Sequence, residues 1–323
     1  FEANRQIESL QRRWAQLTGA LSGERFPDFL RAHWNSRHPQ ARKNQLFREI
    51  RARVQSPDAV FELLAALEGD VEIFAARRHP EDEIWSTHQR DAVSALDRFG
   101  VRQPWPLLLA VHRHLDQAAL TQVLRACEVI AVRYNVIGRR LPSDQERTFN
   151  RVARDVSSGQ VTSAAGVIRG LAAVYPSDAE FKADFAEARL LTGNGRNKRV
   201  ARYLLAKLAN HEAGGALNPD DRQLTLEHIL PEAPPETGWD HFDDVAHANF
   251  RHRLGNYVLL EGSLNRGLGQ ADWATKRDAL GKSALAPTQA LAEWDTWTAA
   301  DIRHRQQRMA KTATAVWRLP QLS

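Results

Sequence analysis

The chain has 323 residues, of which 43% are apolar, 26% charged and 8% aromatic; these proportions exclude a disordered chain and allow a sizeable core. The length favours two domains over one, and the net charge of +5, spread without a polybasic tail, is compatible with a polyanionic partner without establishing one. The lone Cys127 excludes an internal disulfide and a cysteine-based zinc site and suits a reducing cytoplasm. No run of about 18 apolar residues provides a membrane span, and the opening has no signal-peptide pattern. The sequence begins at Phe1 and its one methionine is Met309, so it reads as a piece of a longer protein.

From about residue 2 to 190 the pattern is helical nearly throughout. Ile7, Leu10, Trp14 and Leu17 fall at spacings of three and four, the stripe of an amphipathic helix. Val60, Leu63, Leu64 and Leu67 repeat it, as do Leu120, Val123, Leu124, Cys127 and Ile130. Prolines 80, 104, 106 and 142 punctuate these helices, with Ser143 or Asp144 a candidate N-cap. Thr192-Gly193-Asn194-Gly195 marks a break, and a helix over Lys198–Asn210 follows. The β-capable stretches are Gln223–Leu230 and Tyr257–Glu261, separated by a Pro-rich loop and a short helical segment. Trp273, Trp294, Trp297 and Trp317 read as core residues packing helices on this β element, and Ile302–Val316 as a terminal helix. The expected fold is mainly α: a helical domain over 1–190, then a domain over 191–323 with a small ββα core embedded in helices.

Chemistry concentrates in the second part. Leu224–Pro231 reads as a strand ending at a proline, with Glu227 and His228 on alternate faces. His252–Leu260 reads as a Gly-Asn turn feeding a second strand, with Asn265 opening the next segment and Lys276 in the helix after it. Phosphodiester hydrolysis needs a water deprotonated near neutral pH, which histidine can serve, and a hard cation to neutralise charge on the phosphate and the departing oxygen. Oxygen donors from Glu227 and Asn265 favour Mg²⁺ or Mn²⁺ over zinc. Asp240, His241, His247 and His252 have spacings that do not stack on a helix face, so a surface role is expected for them. Basic stretches Arg37–Lys43 and Arg196–Arg199 are read first as solvated faces and second as DNA contacts.

The run Leu226-Glu227-His228-Ile229-Leu230-Pro231, then Leu254-Gly255-Asn256-Tyr257-Val258-Leu259-Leu260, then Asn265 and Lys276, resembles the HNH nuclease domain at the C-terminus of GmrSD-type restriction enzymes and their SspE-like relatives. Arg202-Tyr203-Leu204-Leu205 before it and Trp297, Ile302 and Arg305 after it fit the same pattern, which covers about residues 196–320. More loosely, Phe26–Trp34 and Leu46–Val54 resemble the helical region behind the N-terminal nucleotide-hydrolysing domain of those proteins. That domain's motifs are absent, so no nucleotide hydrolysis is assigned here.

The resemblance implies a metal-dependent DNA endonuclease of a bacterial system that restricts phage or modified DNA. His228 would be the general base, and Asn256 would hold the strand-loop geometry. Glu227 and Asn265 would ligate the metal; Arg253 and Lys276 would sit near phosphate. A glutamate stands where many HNH sites have aspartate, and no cysteine pairs brace the domain. One such site cuts one strand, so nicking is expected, with double-strand breaks requiring a homo-oligomer or repeated events. The resemblance also implies a partner in the N-terminal sensing domain. The competing readings are a non-catalytic helical module that binds DNA or a partner, with the HNH remnant structural, and a metal-dependent hydrolase of another substrate.

Overall fold

The computed structural model describes residues 2–21, 23–233 and 237–323. Phe1 and the 234–236 part of the expected Pro-rich loop lie outside the described residues. The fold is mainly α, with a single two-stranded antiparallel sheet among the described residues. Contacts divide the chain into two compact units. One comprises the chain up to Asn135, Arg139–Tyr175 and Leu319–Leu322; the other comprises Val136–Gly138, Pro176–Arg318 and Ser323. No described helix is long and apolar enough to cross a membrane.

The first unit is helical: α1 (Glu2–Ala20), α2 (Phe26–Asn35), α3 (Leu46–Arg53), α4 (Pro57–Ala75), α5 (Thr87–Phe99), α6 (Trp105–His114), α7 (Gln117–Ile130), α8 (Pro142–Ser157) and α9 (Ala164–Gly170). The stripe of α7 is wholly buried and includes Cys127, whose thiol burial pushes well above its ordinary value. The stripes of α1 and α4 behave differently. Leu17, Leu64 and Leu67 are buried, but Ile7 is 53% and Trp14 44% exposed. Leu10, Trp14, Val60 and Leu63 instead line an open cleft of about 400 Å³. Helix α8 starts at Pro142 with Leu141 in the cap position, so neither Ser143 nor Asp144 caps it. Proline's fixed φ and missing N–H suit that first position.

A buried charge network ties α2, α4 and α6 together. Asp70 is fully buried and accepts from His33 Nδ1 (2.7 Å), Arg37 Nη1 (2.8 Å) and Arg113 Nη1 (2.7 Å). Arg113 also donates to Ser36 Oγ at 2.8 Å. Arg37, at the head of the basic stretch 37–43, is thus engaged internally.

The second unit runs α10 (Asp178–Glu187), α11 (Gly195–Ala213), β1 (Leu224–His228), α12 (Asp244–Phe250), β2 (Tyr257–Glu261), α13 (Gly262–Asn265), α14 (Trp273–Gly281), α15 (Ala286–Gln289) and α16 (Ala299–Val316). Helix α11 starts three residues earlier than its apolar pattern indicates because Asn194 accepts from the Asn197 N–H. Strands β1 and β2 pair from Leu224↔Glu261 to His228↔Tyr257. One sheet face carries Val258 and Leu260 into a core with Ile229, Trp273, Trp297 and Ile302. Trp273 and Trp297 stack there at 5.3 Å.

Backbone geometry makes Gly255 obligatory. A Cβ at that position would lie 2.4 Å from the Ile302 carbonyl oxygen in α16. The close approach lets Gln306 Oε1 accept from the Gly255 N–H (3.0 Å), and Arg305 donates to the carbonyls of Gly255 (2.6 Å) and Tyr257 (2.7 Å). Arg202 clamps the other strand by donating to the Leu224 carbonyl at 2.6 Å.

Candidate active site at the strand ends

Alternation along β1 separates the expected site residues. Glu227 lies on the core-facing side of the sheet. Lys276 of α14 donates to its Oε1 (2.7 Å) and to the His228 carbonyl (2.6 Å). The Lys276 side chain is 1% exposed, and burial lowers its pKa against the opposing pull of Glu227. Asn265, at the end of α13, donates through Nδ2 to Thr225 Oγ1 at 2.8 Å. Thr225 and Glu227 share a face, so Glu227, Asn265 and Lys276 gather on one side of the sheet.

His228 points to the other side. Its ring meets Tyr257 edge-on at 4.7 Å and lies 5.9 Å from the ring of His252. Thr192 Oγ1, from the segment before α11, is 3.3 Å from its Nε2. Burial, then the nearby charges of His252, Lys276, Lys198 and Arg251, lowers the imidazole pKa to about 4. The ring is therefore neutral at pH 7, with a nitrogen lone pair available. His252 is lowered as well, first by burial and then by Arg251.

Asn256 fixes this strand end. It is fully buried. Its Oδ1 accepts from the Leu230 N–H (2.7 Å) and Trp297 Nε1 (3.1 Å), and its Nδ2 donates to the carbonyls of Leu230 (2.9 Å) and Arg251 (3.0 Å). The loop beyond is pinned too: His247 Nε2 lies 2.9 Å from the Pro231 carbonyl, and Arg251 donates to that of Glu232 at 3.1 Å. His247 is thus a buried positioning residue at 6% exposure and not the surface histidine its spacing indicated. His241 Nε2 reaches the Trp297 carbonyl at 3.1 Å. Arg253 is 6% exposed; it donates to the Glu187 carboxylate (2.6 Å) and the Ala186 carbonyl (3.2 Å). Its guanidinium lies over the Phe250 ring at 4.9 Å.

Two donor sets are available to a metal ion. In the Glu227–Asn265 set, a buried ammonium already occupies one carboxylate oxygen and the amide is turned to Thr225. A second set consists of His228, Glu232 and His252, each offering one donor atom within 4.8 Å of the others. Sequence reasoning missed Glu232 and grouped His252 elsewhere. The signal was present in the pairing: if His228 faces Tyr257, the residues just after 228 and just before 257 converge at the same strand end.

Residues 175–312 match the family model described as GmrSD restriction endonucleases, C-terminal domain. The match falls on the second unit, with Tyr175 its one residue in the first. No curated protein matches the chain.

Proposed function

We propose that the second unit, in which residues 176–312 of the match to the GmrSD C-terminal family model fall, is an HNH-type endonuclease that hydrolyses DNA phosphodiesters with a divalent metal ion. The observation that carries this reading is the placement of His228 at the end of β1 beside His252 and Glu232, with one donor atom from each within 4.8 Å of the others. Lys198 and Arg251 both act on the His228 ring electrostatically, and the same positive field favours approach of a phosphate. A metal held there would neutralise charge on the phosphate and the leaving oxygen.

In the reaction, water oxygen bonds to phosphorus as the bond to the 3′-oxygen breaks. The water's proton ends on that 3′-oxygen, leaving 5′-phosphate and 3′-hydroxyl ends. His228 activates the water through its ring nitrogen; Asn256 and His247 hold the strand end and loop that orient it. One such centre cuts one strand, so the product is a nick, and a double-strand break needs a second copy. Phage or modified DNA is the substrate, in the cytoplasm, with target sensing supplied by a partner domain of the kind the resemblance implies.

Plasmid nicking by the wild-type chain and His228→Ala, with Mg²⁺, Mn²⁺ or EDTA, tests this. Metal-dependent nicks should fall by on the order of 10²–10⁴-fold in the variant. A supercoiled plasmid left intact by the wild-type chain under every metal condition refutes the reading for this chain. The Glu227–Lys276 pair favours one alternative, a DNA- or partner-binding module with a structural HNH remnant; it requires DNA binding that survives EDTA and is unchanged in His228→Ala.

A further inference from the structure

A cavity of about 200 Å³ lies in the first unit where α2, the turn after α4, the start of α6 and the start of α8 meet. Three guanidinium groups line it, those of Arg31, Arg77 and Arg102, together with the Gln103 amide. Asp28 and Glu146 add two carboxyl groups to the lining. The volume falls short of the roughly 300–1,000 Å³ that takes a drug-sized ligand, so the occupant it suits is compact.

Donors outnumber open acceptors in this lining. Arg77 is 6% exposed, and its guanidinium lies over the Phe74 ring at 4.6 Å. One terminal nitrogen donates to Glu24, but the buried Nε has no partner among the described residues. Buried donors are nearly always paired. Other arginine Nε atoms share this state, and Arg77 is the one that lines this cavity. Arg31 donates through Nε to the Ala41 carbonyl at 3.3 Å and through one terminal nitrogen to Glu146, which leaves its other terminal nitrogen. Arg102 is exposed and has no ion-pair partner among the described residues. Gln103 Oε1 accepts from the Arg102 N–H at 3.0 Å, so its amide nitrogen is left to donate. Glu24 and Glu146 are each engaged by an arginine, and Asp28 remains as the open carboxylate. Burial lowers the Arg77 pKa against the pull of Glu24, and the like charge of Arg102 pushes it the same way. An anion between the two guanidinium groups relieves that repulsion.

We propose that this cavity binds a single phosphate group, free or carried as a small phosphate monoester, through Arg31, Arg77, Arg102 and the Gln103 amide. A tetrahedral dianion presents acceptor oxygens in several directions at once, and guanidinium forks match those oxygens in pairs. A planar carboxylate satisfies one fork and leaves the others open. The bonds to Glu24 and Glu146 hold two of the guanidinium groups in place before the ligand arrives, which cuts the ordering cost of binding. Asp28 repels charge beyond that of one phosphate, which sets the site against diphosphates and triphosphates. The site lies wholly in the first unit and does not rest on the nuclease reading.

Calorimetric titration of the whole chain with inorganic phosphate, thymidine 5′-monophosphate, thymidine and acetate tests the site. The variants are Arg102→Ala, Arg77→Lys and Arg42→Ala, each checked for folding by circular dichroism. Arg102 and Arg42 are exposed, so their substitution leaves the fold intact, and Arg42 lies outside the cavity lining. The wild-type chain should take up one phosphate per chain with a Kd below about 1 mM. Arg102→Ala should weaken that binding about tenfold or more. Arg77→Lys keeps a cation beside Glu24 but removes Nε and the fork, and should weaken it at least as much; if this variant fails to fold, Arg102→Ala decides. Arg42→Ala should bind as wild type, and thymidine and acetate should give no saturable heat. Tighter binding of the monophosphate than of inorganic phosphate names the monoester as the ligand, and the reverse order names the free ion. The inference is overturned if neither phosphate gives saturable heat with the wild-type chain. It is equally overturned if acetate binds as tightly as phosphate, or if Arg42→Ala loses as much affinity as Arg102→Ala.

Discussion

Replacing Lys276 with methionine isolates the physical role of the buried pair under the sheet. The substitution keeps the apolar stem and removes an ammonium that is 1% exposed and bonded to Glu227 Oε1 and the His228 carbonyl. Glu227, itself 13% exposed in its side chain, is left as a carboxylate without its cation. Breaking a buried pair from one side costs about 3–5 kcal/mol. Urea unfolding followed by circular dichroism, with wild type and Lys276→Met compared at pH 7, measures the difference. Adding Glu227→Gln to Lys276→Met should restore part of the loss. A penalty below about 1 kcal/mol, or no recovery in the double variant, would refute the argument that Lys276 serves as the counter-ion of a buried carboxylate.

Three further outcomes follow from neighbouring contacts. Gly255→Ala forces a Cβ against the Ile302 carbonyl at 2.4 Å; it should lower stability by about 1–3 kcal/mol, and an unchanged melting temperature would show that α16 can shift at no cost. Asn256→Asp replaces the Nδ2 donor facing the Leu230 and Arg251 carbonyls with an acceptor, and should cost on the order of 3 kcal/mol, read as a fall in urea midpoint larger than that of Asn256→Ala. In the first unit, burial and the charges of Arg37 and Arg113, against the pull of Asp70, hold the His33 pKa at about 4. The unfolded chain takes up that proton near pH 6.5, so stability falls as pH drops from about 6.5 to about 4. Asp70 adds to the loss at lower pH: burial raises its pKa, but His33, Arg113 and Arg37 together hold it below the usual carboxylate range. Asp70→Asn should lower the urea midpoint at pH 7, keep the fall between about pH 6.5 and about 4 because Asp70 is the group that pulls the His33 pKa up, and remove the further loss at lower pH; an unchanged low-pH loss in the variant would assign that part of the acid lability elsewhere.

The sequence pattern carried the architecture further than the site. Period-two alternation at Leu224, Leu226 and His228 locates β1, and the apolar run after Gly255-Asn256 locates β2; both are local signals that strand pairing then reinforces. The stripe at Leu120–Ile130 is buried as its spacing indicates. Ile7 and Trp14 remain exposed, because spacing reports that a helix has an apolar face and not how fully that face is covered. Lysine and arginine mislead for a related reason. Lys276 and Arg253 look like surface cations in a basic chain, and only three-dimensional packing reveals the carboxylates of Glu227 and Glu187 beside them. Glu232 and His252 stand twenty residues apart, and neither has a motif of its own. They become chemically relevant through the register that sets His228 against Tyr257, and through the bonds of Asn256, His247 and Arg251 that draw the loop and the turn to one strand end. The convergence of these three side chains is thus a property of the pairing, legible only once both strands are placed, whereas His228 is legible from its own strand because it is the residue at which the pairing ends.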